Sequence, residues 1–175
     1  MPLSSDSFWQ LHLKKYVTIA LLVFTLVIAW RGFNQTITIN PLQLTQLNGD
    51  SLQLPHPQKK LTLVNFWSVH CPPCRLELPQ LQAKYTENKQ TIWQQLQVVT
   101  IVMPSDNLHE VIQFKQAIDL TLPIAIDINS KAVAGFNHKM ITPSHHLLDN
   151  QGNVLFQQYG AMDIDDLQKI INRYL

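Results

Sequence analysis

The chain has 175 residues, of which 46% are hydrophobic and 14% charged, and its net charge is +1. This composition excludes intrinsic disorder, which needs low hydrophobicity and high net charge, and leaves no electrostatic basis for nucleic-acid binding. Two cysteines exclude a disulfide-rich scaffold and a four-cysteine zinc site, while the length suits one domain with an anchor.

From Tyr16 to Trp30 no residue is charged, and the run is rich in Leu, Val and Ile. Fifteen helical residues rise about 22 Å, short of a ~30 Å hydrocarbon core. Tyr16, Trp30 and Phe33 suit the interface, and Lys15 and Arg31 can snorkel to extend the reach. A cleaved signal peptide needs small residues before the cut, and Trp30-Arg31 provides none. A buried core helix would carry a polar face, which this segment lacks. The run therefore reads as a signal anchor over 16–33, with residues 1–15 cytoplasmic. Lys14 and Lys15 against Arg31 alone give the inside-positive bias that leaves 34–175 outside.

Asn34 to Lys60 reads as a linker followed by short strands, with Leu42, Leu44 and Leu47 before a turn at Asn48-Gly49-Asp50 and Leu52 and Leu54 alternating after it. Leu61–Phe66 is an apolar run of strand length. The spacing predicts a helix from Pro72 to about Tyr85, with Leu76, Leu78, Leu81 and Tyr85 on one face and Pro79 kinking it. Gln97–Met103 is a buried strand by its β-branched run. Ser105 or Asp106 caps a helix running to about Leu120, with Leu108, Val111, Ile112, Phe114 and Ile118 inward. A strand at Leu122–Ile128 and a short helix at Ser130–Phe136 follow. Ser144–Leu148 and Val154–Tyr159 are strands joined by the turn Asp149-Asn-Gln-Gly152. Asp163 caps a last helix with Leu167, Ile170, Ile171 and Tyr174 on one face. Strands that alternate with helices and end in a hairpin predict an α/β domain with a mixed central sheet flanked by helices.

Chemistry concentrates in Asn65-Phe-Trp-Ser-Val-His-Cys71-Pro-Pro-Cys74-Arg-Leu-Glu77-Leu-Pro79. A CxxC sits where a buried strand meets a helix, and the helix start offers unpaired N–H groups and about half a positive charge. Both favour a thiolate, the nucleophilic form. Cys71 at the tip is placed to be exposed and reactive, and Cys74, one turn in, to resolve a mixed disulfide. Two other readings stand beside this one. Zinc would require two more ligands at matching spacing, and a structural i, i+3 disulfide closes too small a loop to stabilise much. Glu77 lies one turn after Cys74 on the same face; a buried carboxylate there can take the Cys74 proton, and the alternative is a solvated helix glutamate. Trp67 packs beside the motif, as core or as a shaper of the thiol surface. His70 either supports a Cys71 thiolate when protonated or is an exposed loop residue. His138, His145 and His146 are candidate metal ligands, but alternate strand residues face opposite ways, so His145 and His146 cannot both aim at one ion.

The pattern Asn-Phe-Trp-x-x-x-Cys-x-x-Cys-x-x-Glu-x-Pro resembles the thioredoxin superfamily, and within it the membrane-anchored thioredoxin-like proteins of the TlpA, ResA and DsbE type, over roughly residues 35–175. Asn65 stands where thioredoxin carries a buried Asp. Ile141-Thr-Pro143-Ser-His-His-Leu-Leu-Asp149-Asn-Gln-Gly152, followed by Gly160, looks like the group's cis-proline strand and hairpin; the alternative for Pro143 is a strand-edge proline. His145 and His146 depart from the usual Thr and Phe, and His70 stands where Trp, Tyr or another residue is common.

The resemblance implies a thioredoxin fold with an N-terminal β-extension, a redox-active Cys71–Cys74 disulfide, a cis Pro143 facing it, and a substrate surface of Trp67, Pro72, Pro73, Thr142 and Pro143. It further implies a periplasmic thiol–disulfide oxidoreductase held in the inner membrane by one span. Such a protein would reduce cysteines of exported clients, apocytochrome c among them, and be recharged by a membrane electron carrier. No bound cofactor and no metal is called for, because electrons travel as the dithiol/disulfide couple. The alternatives are a periplasmic oxidase or isomerase, and a copper-handling thioredoxin-like protein, although the latter typically carries CxxxC. A redox-dead interaction module is disfavoured by the intact dithiol.

Overall fold

The computed structural model describes residues 5–33 and 37–175. They form two separate units, an N-terminal helix and a domain beginning at Ile37. Helix α1 covers Ser5–Phe33. Within it His12–Trp30 is long and apolar enough to cross a membrane, with none of that stretch buried against protein. Nineteen residues rise about 28 Å, so the helix continues past the uncharged run and nearly closes the shortfall in length. The side chains of Arg31 and Phe33, and residues 34–36 of the linker, lie outside the described residues.

The domain is built on a seven-stranded mixed sheet. The strands are β1 (Leu42–Gln46), β2 (Ser51–Leu54), β3 (Leu61–Trp67), β4 (Leu96–Val102), β5 (Ile124–Ile126), β6 (Ser144–Asp149) and β7 (Val154–Tyr159), in spatial order β2-β1-β5-β4-β3-β6-β7. β3, β4 and β5 run parallel, β6 runs antiparallel to β3, and β7 runs antiparallel to β6. The β1–β2 hairpin extends the sheet beyond β5. Helices α2 (Pro72–Asn88), α3 (Leu108–Ala117), α4 (Lys131–Gly135) and α5 (Ile164–Tyr174) complete the domain.

Every residue of β3 is buried, because both sheet faces are covered. Alternation along the strand still sorts the side chains. Leu61, Leu63 and Trp67 join one core with Leu78 and Leu81 of α2, Val111 of α3 and Leu167 and Ile171 of α5. Val64 and Phe66 join a second core with Leu44, Leu54, Ala132 of α4 and Phe136. Asn65 therefore faces α2.

Several sequence expectations need correction. Leu76 is 71% exposed rather than on the inner face of α2, which is formed by Cys74, Glu77, Leu78 and Leu81; at 100° per residue, position 76 falls outside that arc. Leu108 and Ile112 are also exposed. The cap of α3 is Asn107, whose side chain accepts the His109 N–H, rather than Ser105 or Asp106. That helix stops at Ala117, and Asp119 takes a positive φ of 49°. β5 is shorter than Leu122–Ile128. Asp163 caps α5 as expected, accepting from the Asp165 and Asp166 N–H groups. The peptide bond before Pro143 is cis, and so is that before Pro55.

Candidate active site

The CxxC segment begins where β3 ends. Cys71 is the N-cap of α2, Pro72 and Pro73 occupy its first turn, and the Cys74 N–H donates to Cys71 Sγ at 3.2 Å. Two prolines suit this position because the first helical N–H groups have no intrahelical acceptor. Cys71 and Cys74 are joined in a disulfide. Cys71 is 8% exposed and Cys74 1%, so the outer sulfur is the one nearer solvent.

The loop from β3 to Cys71 is held from a distance. Asp106, in the β4–α3 connection, accepts the Val69 N–H at 2.9 Å and the Ser68 hydroxyl at 2.8 Å. The Ser68 hydroxyl oxygen in turn accepts the His70 N–H, and the Cys71 N–H donates to the Ser68 carbonyl. In the sequence Asp106 is a candidate helix cap, and no local signal pairs it with a residue 37 positions earlier. His70 is exposed and lies 3.1 Å from the Glu110 carboxylate. Arg75 sits over the Phe114 ring, and these residues with Val69 and Gln113 line a groove beside the disulfide.

Trp67, expected on the substrate surface, is fully buried beneath it against Phe114. The same alternation that turns Asn65 toward α2 turns Trp67 inward. Pro72 and Pro73 are exposed, Thr142 is half-buried and Pro143 is buried. Strand register pairs Ser144 with Phe66, which sets Pro143 level with Trp67 at the end of β3, before the CxxC loop. The Gly160 N–H, from a residue at φ +91°, donates to the Pro143 carbonyl at 2.8 Å and ties the turn down.

Glu77 is 5% exposed. The Asn65 amide donates to its Oε1 at 3.3 Å and the Met162 N–H to its Oε2 at 3.3 Å. His145 Nε2 lies 3.0 Å from Oε1, off the line of a regular hydrogen bond. The pairing of Asn65 with His145 across β3 and β6 brings this histidine to the α2 face. His146 faces the other way, among Phe66, Phe136 and Tyr159. There the Ser144 hydroxyl lies between His138 Nε2 (2.6 Å) and His146 Nε2 (3.3 Å). Burial pushes the His146 imidazole down to about 3, with His138 and His145 adding to the effect, and burial lowers His138 as well. The three histidines do not converge, and among the described residues no group of three or more His, Cys, Asp or Glu is arranged to hold a metal ion.

The sequence profile of the AhpC/TSA family matches residues 38–157. Sporulation thiol-disulfide oxidoreductase A of Bacillus subtilis is 27% identical over 161 residues, covering 89% of this chain and 96% of that protein. Thiol-disulfide oxidoreductase ResA of Halalkalibacterium halodurans is 29% identical over 121 residues, 68% of this chain and 65% of its own. The crystal structure of StoA from Bacillus subtilis aligns with a TM-score of 0.67 at 24% identity, over 77% of this chain and 98% of that one, and shares its thioredoxin-like fold. With the profile running from before β1 into β7 and a cysteine pair at the start of α2, the chain belongs to the AhpC/TSA family as a thioredoxin-like thiol–disulfide oxidoreductase of the ResA and StoA type.

Proposed function

We propose that the protein is a membrane-anchored reductase of disulfides in exported client proteins, with its catalytic domain in the periplasm. The apolar stretch His12–Trp30 of α1 would be the single span, in the inner membrane, and residues 34–175 the exported part. In the reaction, the Cys71 thiolate attacks a client disulfide and one client sulfur leaves as a thiolate. Cys74 gives its proton to Glu77 and, as a thiolate, attacks Cys71 Sγ. The second client thiolate leaves, and the Cys71–Cys74 disulfide remains. A membrane electron-transfer protein returns two electrons and restores the dithiol. Thr142 and Pro143 dock the client chain beside Pro72 and Pro73. Cytochrome c precursors are one class of client with the required cysteines.

The observation that carries the reductive direction is the single backbone donor on Cys71 Sγ. Among the described residues the Cys74 N–H is the donor aimed at it, and Pro72 and Pro73 have no N–H to give. Strong oxidants of this superfamily owe their potential to a stabilised thiolate form. A thiolate with few donors leaves the disulfide harder to reduce, and each ~30 mV corresponds to about 1.4 kcal/mol for the two-electron couple. Equilibrium titration against glutathione should give a potential well below about −120 mV, the strongly oxidising extreme. Alkylation of the cysteines in intact cells should find them mainly as thiols. A potential near that extreme, with the pair disulfide-bonded in cells, would establish an oxidase instead.

A further inference from the structure

Between α4 and β6 the chain crosses residues 136–143 outside any helix or strand, and Thr142 and Pro143 lie at the end of that crossing. Met140 takes a positive φ of 59°, a left-handed pose that is unfavourable for a residue with a bulky side chain. Burial does not explain it, because Met140 is 55% exposed and Ile141 46%. A strained, solvent-facing residue two positions before Thr142 calls for a physical reason.

His138 supplies the restraint. The Met140 N–H donates to its Nδ1 at 3.0 Å, and among the described residues this is the hydrogen bond that ties Met140-Ile141-Thr142 to the domain. An acceptor at Nδ1 puts the ring proton on Nε2. Nε2–H therefore donates to the Ser144 hydroxyl oxygen at 2.6 Å, and the Ser144 O–H turns toward His146 Nε2 at 3.3 Å. Burial lowers the His138 imidazole, which keeps it in this neutral form. The ring is 7% exposed and stacks on Phe66, with centroids 4.2 Å apart. Ser144 is fixed in β6 between Phe66 and Tyr159. One rigid ring thus spans from a fixed strand residue to the loop, with Thr142 and Pro143 between its two attachment points.

We infer that His138 is a positioning residue for client binding, a strut that holds Met140-Ile141-Thr142 in the pose that receives the client chain. The inference rests on the docking role proposed for Thr142 and Pro143. An asparagine could accept the Met140 N–H in the same way, because its side-chain oxygen bonds the N–H two residues on. It lacks the reach to Ser144, whereas the imidazole carries both nitrogens at a fixed separation. Without the strut Met140 relaxes out of its left-handed pose, and Thr142 moves with it. The exposed side chains of Met140 and Ile141 lie on the held segment, where they offer apolar contact to the client residues that flank its cysteine.

The test uses the reduced full-length chain in detergent and two disulfides. One is a synthetic peptide with a disulfide-bonded Cys-Ala-Ala-Cys-His segment, whose reduction rate is followed against peptide concentration. The other is dithiobis(nitrobenzoate), a small disulfide that reacts at Cys71 without a docked chain. His138→Phe keeps a ring on Phe66 and loses both hydrogen bonds. It should raise the half-saturating peptide concentration about tenfold, leave the limiting rate within about twofold, and leave the rate with dithiobis(nitrobenzoate) unchanged. His138→Asn and Ser144→Ala each keep the bond to Met140 and lose the one to Ser144, so each should raise half-saturation only about threefold. An unchanged half-saturation in His138→Phe, an equal loss in His138→Asn and His138→Phe, or an equal slowing with both disulfides would overturn the inference. If His138→Phe does not fold, an unchanged half-saturation in Ser144→Ala overturns it. Thr142→Arg separates His138 from the docking role. A raised half-saturation there beside wild-type behaviour in His138→Phe removes His138 alone, whereas no change in Thr142→Arg, or no saturation with the wild-type chain, removes the docking role as well.

Discussion

The two cysteines are three residues apart and not equivalent. Both lie in the core with Leu78 and Leu81, but Cys71, at the helix cap, is 8% exposed and Cys74 1%. A client sulfur can reach the first far more readily than the second. Cys74→Ser should therefore accumulate mixed disulfides with exported proteins, visible as higher bands on non-reducing gels, and Cys71→Ser should trap almost none. The reverse pattern would exchange their roles. This asymmetry was legible in the sequence, because a CxxC at a strand–helix junction fixes which sulfur comes first. The surroundings of Glu77 were only half legible. Spacing put Glu77 on the Cys74 face, and strand alternation said that one of His145 and His146 points inward. Which of the two meets Glu77 depends on the pairing of β3 with β6, and a register between segments 80 residues apart leaves no mark in either one.

At the level of elements, the loop before Cys71 gets its shape from the β4–α3 connection. Asp106 accepts two hydrogen bonds from it, and the Val69 N–H is not free to turn to water. Asp106→Ala should destabilise the domain by about 1–3 kcal/mol in chemical denaturation, the range for leaving a buried donor unpaired. Asp106→Asn should recover most of this, since its oxygen can face Val69 and its amide can donate to the Ser68 hydroxyl. Equal losses in both variants would mean that charge, rather than hydrogen bonding, holds the loop. The strands and helices themselves were mostly visible as β-branched runs and apolar spacings. The errors fell at ends and edges. Ser105, Asp106 and Asn107 all have capping side chains, and only the tertiary demand of the Ser68–Val69 loop decides that Asp106 is used elsewhere. Leu76 belongs to an apolar pattern by composition, and its place outside the buried arc follows from which side of α2 meets the sheet.

At the scale of the whole molecule, the buried histidine pair sets the acid limit of stability. An unfolded histidine titrates near 6.5, whereas His146 in the fold is held down to about 3, and His138 is shifted in the same direction. Above pH 6.5 both states hold His146 neutral and the fold is at full strength. As pH falls from 6.5 toward 3 the unfolded state takes up the proton first, and His146 alone removes about 1.4 kcal/mol per pH unit within that window. Denaturation midpoints at a series of pH values should show this limb, and His146→Phe, placed among Phe66 and Phe136, should make it shallower. Parallel curves for the two proteins would exclude His146 as the cause. The proposed anchor is testable at the same scale. Alkaline extraction of membranes should leave the full-length chain in the pellet, and recovery of a shortened chain in the soluble periplasmic fraction would show a cleaved leader.

The seam between residues 37–39 and the β6–β7 turn has a consequence for access. The Ile39 N–H donates to the Gly152 carbonyl at 2.8 Å and the Val154 N–H to the Ile37 carbonyl at 2.8 Å. Gly152, at φ +87°, leaves no room for a side chain, because a Cβ would stand 2.3 Å from the Ile39 carbonyl oxygen. This turn meets the start of β3, since Asp149 pairs with Leu61, while the disulfide follows its end. Six residue steps of strand separate the two levels, about 20 Å. The polypeptide thus enters the domain at the pole of the sheet remote from the sulfurs, and a bulky protein approaching Cys71 meets no obstruction from the strap at Ile37–Ile39.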